Sequence, residues 1–280
     1  MIQNKWKRIL LIILIFTIVL TAAFFIIREI AYRHRSVPDG IIAYESDNPH
    51  MADKKTKISA HRSGAGIAPE DTLKAFKLCV EDIGFDVDYF EFDQHITKDN
   101  VLILLHDNEL DRTSDCEAVF GKSNCRPENY TYEQLRQLNM GAKFSDENGN
   151  QPYSSLSGRD VPDDLKILNL DTVLDYLESN APSNYIIEIK NDGELGFKAT
   201  DILYETLKKR NLLDRVIFGC FNGEISDYKD VHYPDLKRSA YGKEVYKFYI
   251  YSLLNIRDYH SNFQVMQLPF NDKNEDHGLS

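Results

Sequence analysis

The sequence predicts a parallel α/β fold, arranged as either an open sheet or a barrel. From Lys57 onward, short apolar segments rich in β-branched residues alternate with amphipathic helical patterns. The segment Val101–Leu105 (VLILL) is apolar on both faces, as expected of a parallel strand buried between two layers. Reactive polar side chains follow several of these strands. They therefore lie at the edge where parallel α/β enzymes place their chemistry.

The individual elements are predicted from the spacing of apolar residues. A helix is expected over Asp71–Asp82, because Leu73, Phe76 and Val80 lie on one side of it. The other predicted elements are strands Lys57–Ala60 and Tyr89–Asp93, helix Leu170–Leu177, strand Tyr185–Lys190, helix Ala199–Lys209, strand Arg215–Phe221, and two weaker strand candidates, Lys237–Tyr241 and Phe263–Leu268.

Length, composition and charge exclude several classes of protein. With 280 residues, of which 42% are hydrophobic and 28% charged, the chain can bury a sizeable core and is neither collagen-like nor wholly disordered. Residues 36–280 contain 27 basic and 43 acidic residues, a net charge of −16. Such a body repels a phosphate backbone, so we expect no nucleic-acid partner.

The amino terminus contains a predicted membrane anchor. Ile9–Ile27 is a run of 19 uncharged residues, long enough to cross the hydrocarbon of a bilayer. The apolar region of a cleaved signal peptide is shorter, about 7–15 residues. We therefore expect an anchor over residues 1–35, with the lipid bilayer as a partner, and a polar linker over residues 36–56. We expect a single-pass protein of the cell membrane. Three Lys or Arg residues flank each end of the span, so the count of positive charges does not decide its orientation. Only the additional charge of the α-amino group favours an amino terminus inside the cell, and therefore an extracellular body.

Residues 113–165 are polar and irregular, and we expect a loop elaboration there and not a separate domain. Cys116 and Cys125 lie within it and could close a small loop. They would be a disulfide outside the cell or two ordinary thiols inside it, and the sequence leaves both open. No Cys-x-x-Cys pair or His/Cys zinc spacing occurs, so a structural zinc site is not indicated.

Carboxylates gather on two strands that should be central in the sheet. Glu91 and Asp93 share one face of their strand because strand side chains alternate. Glu188 and Lys190 share a face of theirs in the same way. Unpaired charges in such positions are costly. Three converging carboxylates are better accommodated around a hard divalent cation such as Mg²⁺ or Ca²⁺.

The segment from His61 to Thr72 resembles the opening motif of the glycerophosphodiester phosphodiesterases. It reads H-R-S-G-A-G-I-A-P-E-D-T, where the family has H-R-G followed by P-E-N-T. The resemblance extends from about Ile58 to Phe270 and is strongest over residues 58–115. The family's other motifs follow in order, as Glu91-x-Asp93, Thr97-Lys98-Asp99, His106-Asp107, Leu110-Asp111-Arg112-Thr113 and Glu188-Ile189-Lys190.

The resemblance implies a TIM-type (β/α)8 barrel that hydrolyses phosphodiesters with the help of a metal. Glu91, Asp93 and Glu188 would bind the divalent cation. His61 and His106 would be the general acid and base, in an order that the sequence leaves open. Histidines suit these roles because they titrate near neutral pH.

Further roles and departures follow from the same resemblance. Arg62 and Lys190 would bind the substrate phosphate. Glu70 would support the site by pairing with Arg62, or would instead cap the start of the following helix. Ser63 stands where the family usually has glycine, and Asp71 where it has asparagine. A serine there could restrict a backbone that glycine leaves free.

The expected function is the hydrolysis of glycerophosphodiesters to an alcohol and glycerol 3-phosphate by a membrane-anchored enzyme. One alternative is a lysophospholipase D or phosphoinositide-type phospholipase on the same barrel. Another is a non-catalytic, membrane-tethered binding module. The family's last helix and strand have no counterpart after Phe263–Leu268. We therefore expect residues 57–280 to form a barrel that lacks its C-terminal β/α unit.

Overall fold

In a computed structural model of the protein, the described residues are 2–33, 55–81, 84, 86–254, 256 and 259–268. The linker predicted over residues 36–56 lies outside them except for its last two residues. The segment after Leu268, which bears on the expected missing β/α unit, also lies outside them. The chain divides into two compact units, one of residues 1–45 and 243–261 and one of residues 46–242 and 262–280.

The second unit is built on a sheet of five strands among the described residues. Four of them are parallel, in the spatial order β1-β2-β4-β5, and β3 pairs with β2. Two parallel bridges, Phe218 to Arg238 and Ser239 to Val265, involve the two weaker strand candidates. The strands are β1 (Ser59–Ala60), β2 (Tyr89–Ile96), β3 (Leu102–Leu104), β4 (Asn184–Ile189) and β5 (Val216–Gly219).

The prediction that Val101–Leu105 forms a parallel strand was wrong, because β3 runs antiparallel to β2, with Gln94 opposite Leu104 and Ile96 opposite Leu102. Only residues 97–101 connect the two strands, whereas a parallel crossover needs a dozen residues or more. The strand is nevertheless apolar on both faces for a physical reason. Leu102 and Leu104 belong to the main core, and Ile103 belongs to a second hydrophobic cluster.

Helices α2 (Leu73–Glu81) and α5 (Leu170–Asn180) confirm the predicted helices to within three residues at each end. Helix α6 (Gly193–Lys209) begins six residues before the predicted Ala199, and α7 (Gly223–His232) was not predicted. Helix α5 begins after Asn169, whose side chain accepts a hydrogen bond of 2.8 Å from the Thr172 backbone N–H. Helices α6 and α7 each follow a parallel strand, as in a β/α repeat. The four longer helices are α2 (Leu73–Glu81), α5 (Leu170–Asn180), α6 (Gly193–Lys209) and α7 (Gly223–His232).

The two faces of β2 have different environments. Phe90 and Phe92 point into the main core, where their rings lie 5.6 and 5.9 Å from that of Phe76 on α2. Glu91 and Asp93 occupy the opposite face because strand side chains alternate. Packing of the aromatic rings therefore fixes the direction of the carboxylates.

Residues 113–165 contain short helical segments, including α3 (Cys116–Phe120) and α4 (Tyr132–Leu135). They pack around the second hydrophobic cluster, which includes Leu110, Leu135 and Leu138. Helix α4 is fixed by a capping box, in which Thr131 and Gln134 each accept a hydrogen bond from the other's backbone N–H. The elaboration is thus ordered by apolar contacts that it shares with Ile103 of β3 and with Leu110.

The first unit contains α1 (Ile2–Arg33) and α8 (Gly242–Leu253). Within the described residues, one segment is long and apolar enough to cross a membrane, the 26 residues Lys5–Ile30 of α1. A signal sequence would satisfy the same criteria of length and composition.

Candidate active site

Three carboxylates converge on the neighbouring strands β2 and β4. Asp93 lies directly opposite Glu188 in the parallel register, and Glu91 is two residues earlier on β2. One oxygen from each of the three lies within 4.8 Å of the others, and all three side chains are buried. Gly219 of β5, opposite Glu188, leaves room for that side chain, because a Cβ there would lie 3.1 Å from the Cβ of Glu188.

The electrostatics of this cluster are unfavourable without a cation. Burial raises the pKa of Glu91 to about 8, and the negative charge of Asp93 adds to the effect. Burial also raises the pKa of Glu188. The buried Oδ2 atom of Asp93 accepts no hydrogen bond from any described residue. Buried carboxylate oxygens that lack partners are the ligands that Mg²⁺ and Ca²⁺ prefer, so the three residues fit a divalent cation.

Lys190 follows β4 and partly neutralises the cluster. Its Nζ lies 3.0 Å from Asp93 Oδ1 and 2.7 Å from Glu188 Oε1. Burial opposes the positive charge, but the two carboxylates outweigh burial and raise the pKa of Lys190 above its ordinary value. The ammonium also lies 5.5 Å from the centre of the Phe221 ring, within the range of a cation–π contact.

The turn after β1 brings His61 and Arg62 to the same carboxylates. The Arg62 backbone N–H donates a 2.7 Å hydrogen bond to Glu91 Oε2, and His61 Nε2 lies 3.9 Å from that oxygen. Burial, with the nearby Arg62 charge, lowers the pKa of His61. The turn is tight, because Arg62 and Ser63 both have left-handed backbones, with φ of 45° and 60°. Non-glycine residues rarely adopt this conformation, and it is often found at functional sites.

His106 follows β3 and is held from both sides of its ring. Its Nδ1 lies 2.8 Å from Asp107 Oδ1, and its Nε2 lies 3.0 Å from Arg62 Nη2. A guanidinium can only donate, so Nε2 accepts from Arg62. Nδ1 then carries the proton that is donated to Asp107. These partners assign His106 as the neutral tautomer protonated at Nδ1.

Arg112 joins Asp107 to Glu70. Its Nε donates to Asp107 Oδ2 at 2.5 Å, and its Nη1 donates to Glu70 Oε2 at 2.9 Å. Burial alone would raise the pKa of Asp107. The hydrogen bonds from His106 and Arg112 outweigh burial and lower this pKa, so the carboxylate stays ionised. Glu70 also lies 3.5 Å from Arg62 Nη1, the partner suggested by the sequence, but its closer contacts are with Arg112. The start of α2 is capped instead by Thr72, whose hydroxyl accepts from the Ala75 backbone N–H at 3.3 Å.

Asp107 and Arg112 are residues to which the sequence argument gave no role. Both belong to the motif that follows β3, but the Arg112–Glu70 pair joins residues 42 positions apart, a distance that no local pattern reveals. Conversely, contacts link all eight residues that the sequence singled out into two neighbouring groups. The first group is His61, Arg62, Glu70, Glu91 and His106, and the second is Asp93, Glu188 and Lys190.

The four cysteines are free thiols and all are buried. The Sγ atoms of Cys116 and Cys125 lie within 4.8 Å of each other and of a carboxylate oxygen of Asp111. That carboxylate already accepts hydrogen bonds of 2.9 Å from the backbone N–H groups of Asn124 and Cys125. It therefore closes the loop on which Cys125 lies.

Similar solved structures share the fold of this chain. A phosphodiesterase of Oleispira antarctica in complex with the product sn-glycerol-3-phosphate is 16% identical, with a TM-score of 0.55 over 79% of this chain and 87% of the other. The glycerophosphoryl diester phosphodiesterase domain of a Mycobacterium tuberculosis protein is 19% identical, with a TM-score of 0.56 over 72% and 65% of the two chains. These neighbours imply the TIM-type barrel for the parallel α/β unit.

Relatives are also found by sequence. This chain is 29% identical to a glycerophosphodiester phosphodiesterase of Caldanaerobacter subterraneus over 168 residues, which cover 60% of this chain and 59% of the relative. This chain is also 39% identical to glycerophosphodiester phosphodiesterase 1 of Rattus norvegicus over 83 residues, which cover 30% of this chain and 22% of the relative. The chain thus spans less than two thirds of the length of these relatives. Residues 61–267 match the glycerophosphoryl diester phosphodiesterase family, and the chain belongs to that family.

Proposed function

We propose that the protein is a metal-dependent phosphodiesterase that hydrolyses glycerophosphodiesters to an alcohol and glycerol 3-phosphate. The observation that carries this proposal is the cluster of Glu91, Asp93 and Glu188, whose oxygens lie within 4.8 Å of one another. Two histidines and two cationic side chains contact the same cluster or each other. A phosphodiester requires this combination of charge neutralisation, a proton acceptor and a proton donor.

The three carboxylates would hold a divalent cation, Mg²⁺ or Ca²⁺, which supplies charge neutralisation to the phosphoryl oxygens when bound. Lys190 and Arg62 bind and orient the same phosphate group. Arg62 is suited to this because its guanidinium presents several donors in one plane. Its Nη2 donates to Nε2 of His106 at 3.0 Å, so the guanidinium lies beside that histidine.

The histidines divide the proton transfers between them. Asp107 accepts from Nδ1 of His106, so it stabilises a positive charge on that ring after Nε2 has taken a proton from the attacking group. We therefore assign His106 as the general base. His61, whose Nε2 lies 3.9 Å from Glu91 Oε2, supplies the proton to the leaving alkoxide. Glu70 and Arg112 are positioning residues, since they hold Asp107 and Arg62.

The membrane location is a separate part of the proposal. Lys5–Ile30 would anchor the chain in the cell membrane, with the catalytic unit outside the cell. Treatment of intact cells with an added protease tests the orientation. An extracellular body is digested without lysis, whereas an inside body, or a cleaved signal sequence that releases the body, gives a different pattern of fragments.

The activity is tested with the detergent-solubilised full chain, by measuring glycerol 3-phosphate released from glycerophosphodiesters with Mg²⁺ or Ca²⁺. His106→Ala and Glu91→Ala are expected to lower turnover at least ~10²-fold. The matched controls His232→Ala and Glu147→Ala change exposed residues and should retain activity. Wild-type turnover in either site variant overturns the role assignment. Hydrolysis of acylated substrates alone favours a phospholipase, and metal binding without turnover favours a binding module.

A further inference from the structure

Two cysteines lie side by side in the elaboration of residues 113–165. The Sγ atoms of Cys116 and Cys125 are within 4.8 Å of each other, and both side chains are buried in the second hydrophobic cluster. Tyr130 packs beside them. Its hydroxyl donates to Cys125 Sγ at 3.5 Å, and its ring stacks on that of Phe120 with the centroids 4.2 Å apart. Neighbouring thiols on one loop are the starting arrangement for a disulfide, whose sulfurs lie about 2.0 Å apart.

The backbone between the two cysteines brings them together. Helix α3 begins at Cys116, and Gly121 and Asn124 then adopt left-handed conformations, with φ of 70° and 56°, that turn the chain back. The Asp111 carboxylate holds the returning segment, because it accepts hydrogen bonds of 2.9 Å from the backbone N–H groups of Asn124 and Cys125. The approach of Cys125 to Cys116 therefore does not depend on the thiols themselves.

The surroundings favour a disulfide over a metal site. Metals bind thiolates, but burial raises the pKa of Cys116 to about 12. The Cys125 thiol donates to the Lys122 carbonyl oxygen at 3.1 Å. The Asp111 carboxylate is already engaged by backbone N–H groups. A disulfide carries no charge, so it suits the apolar cluster in which both sulfurs lie.

We propose that Cys116 and Cys125 form an intramolecular disulfide when the chain meets a thiol oxidant, either an oxidoreductase that carries a disulfide or a small disulfide such as oxidised glutathione. The thiolate of one cysteine attacks a sulfur of the oxidant, and one oxidant thiol leaves. The other cysteine attacks this mixed disulfide, so the Cys116–Cys125 bond forms and the second oxidant thiol leaves. The two leaving thiols carry away two electrons and two protons. Because both cysteines are buried in the folded protein, the exchange takes place before the elaboration packs.

The disulfide limits local opening of a segment beside the candidate active site. Asp111 accepts from the backbone N–H of Cys125, and the next residue, Arg112, binds Asp107 and Glu70. A bond at Cys125 therefore steadies the segment from which Arg112 acts. Thiol oxidants are available outside the cell, so the inference rests on the extracellular orientation given under the proposed function.

Peptide mapping of the detergent-solubilised full chain, purified from cells, tests the bond. Free thiols are alkylated in denaturant without reductant, and trypsin then cuts after Lys122, between the two cysteines. Pro127 prevents a cut after Arg126. We expect residues 113–122 and 123–136 as one linked peptide that separates on reduction.

Cys79 and Cys220 are internal controls, because they are buried elsewhere in the protein and should be alkylated in every sample. The same mapping is repeated after refolding in a mixture of oxidised and reduced glutathione. A chain that yields no linked peptide from cells and none after this refolding overturns the proposal.

Thermal unfolding measures what the bond contributes. The oxidised protein should unfold at a Tm about 5–10 °C above that of the reduced protein. Cys116→Ala and Cys125→Ala should show no difference between oxidising and reducing buffers, and Cys79→Ala, a buried control, should keep it. Comparing the two buffers within each variant removes the effect of the cavity that the substitution leaves. A redox-dependent Tm that survives in Cys116→Ala overturns the assignment of the pair.

The outcomes also separate this proposal from the proposed function. Free thiols in the chain from cells, with a linked peptide after glutathione refolding, support the cysteine pair and overturn the extracellular orientation. A linked peptide in a chain that releases no glycerol 3-phosphate supports the disulfide and overturns the proposed hydrolysis. Hydrolysis by a chain that never yields the linked peptide overturns the disulfide and leaves the hydrolysis standing.

Discussion

The Ser63 hydroxyl donates a hydrogen bond of 3.2 Å to Asp71 Oδ1. Both side chains are buried, and both residues have left-handed backbones, with φ of 60° and 55°. These are the two positions at which the chain departs from the opening motif of its family, where glycine and asparagine are usual. Glycine and asparagine adopt this conformation more readily than serine does. The departures therefore act as a pair, in which the hydrogen bond offsets the less favourable backbone.

We expect Ser63→Gly and Asp71→Asn to be non-additive. Each change alone removes or alters one partner of a buried hydrogen bond, whereas the double variant restores the usual family pair. A double-mutant cycle in the free energy of unfolding should give an interaction energy of about 0.5–3 kcal/mol. Urea denaturation provides the measurement. Ser63→Gly combined with the exposed Asp214→Asn is the control and should be additive to about 0.5 kcal/mol. Additivity in the Ser63–Asp71 cycle would contradict the pairing.

Asp71 should also make stability depend on pH. Burial, with repulsion from Asp93, raises the pKa of Asp71 well above its ordinary value. A raised carboxyl pKa means that ionisation opposes folding, so the free energy of unfolding falls as pH rises above the unfolded-state pKa of about 3.9. Asp71→Asn should therefore gain stability over wild type as pH rises from 4 to 7. The measurement is urea denaturation at several pH values with a chelator present, and a difference that does not vary with pH would refute the prediction.

Metal binding should stabilise the folded protein. Because the three carboxylates converge only in the folded chain, a divalent cation at about 100 times its Kd should add about 2.7 kcal/mol to the free energy of unfolding. For a unit of this size that corresponds to a rise in Tm of about 5–10 °C. Glu188→Gln should remove most of the rise, and Glu147→Gln, an exposed control, should keep it. Thermal unfolding with Mg²⁺, with Ca²⁺ and with chelator provides the comparison. Equal shifts in both variants would argue against the site.

Gly219 should be required for the position of Glu188. A methyl group at Gly219 would lie 3.1 Å from Glu188 Cβ and 3.2 Å from its Cα, so Gly219→Ala requires a shift of a few tenths of an ångström between β5 and Glu188. Supporting residues around metal ligands typically contribute 10–100-fold to affinity, and we expect a loss of about 10-fold or more. Calorimetric titration with Mg²⁺ or Ca²⁺ measures it. Gly242→Ala, where nothing lies within 4 Å of the added carbon, is the control. Unchanged affinity in Gly219→Ala would show that β5 does not constrain the cluster.

Local patterns were sufficient to predict the carboxylate face but not its surroundings. Alternation placed Glu91 and Asp93 on one side of β2, because Phe90 and Phe92 occupy the core side. The direction of β3 was predicted wrongly, since apolarity on both faces suits a parallel strand and also a strand between two cores. The length of the connection decides between these, because the five residues 97–101 are too few for a parallel crossover. The pairing of Glu70 with Arg112 depends on the turn after β1 approaching the segment after β3, which only the tertiary structure shows.

A buried ion pair outside the site should stabilise the fold in a pH-dependent way. Arg238, which is 1% exposed, donates hydrogen bonds of 2.9 and 2.7 Å to the two carboxylate oxygens of Asp230. Burial alone would raise the pKa of Asp230, but the hydrogen bonds from Arg238 and Lys229 outweigh burial and lower this pKa. A depressed pKa contributes stability that is present above the unfolded-state value of about 3.9 and is lost as pH falls through the lower folded-state value.

Asp230→Asn would remove the carboxylate charge that pairs with the buried Arg238 and Lys229. We expect a loss of about 2–4 kcal/mol at pH 7, somewhat less than for a fully buried pair, because a fifth of the Asp230 side chain remains exposed. The difference from wild type should shrink below about pH 4, where protonation of Asp230 weakens the pair in the wild type as well. Urea denaturation from pH 3 to 8 measures both effects, and Asp214→Asn serves as the exposed control. A small loss in the free energy of unfolding at pH 7 would mean that the ion pair only offsets its own desolvation. A large loss that persists at low pH would mean that Asp230 contributes packing and not charge.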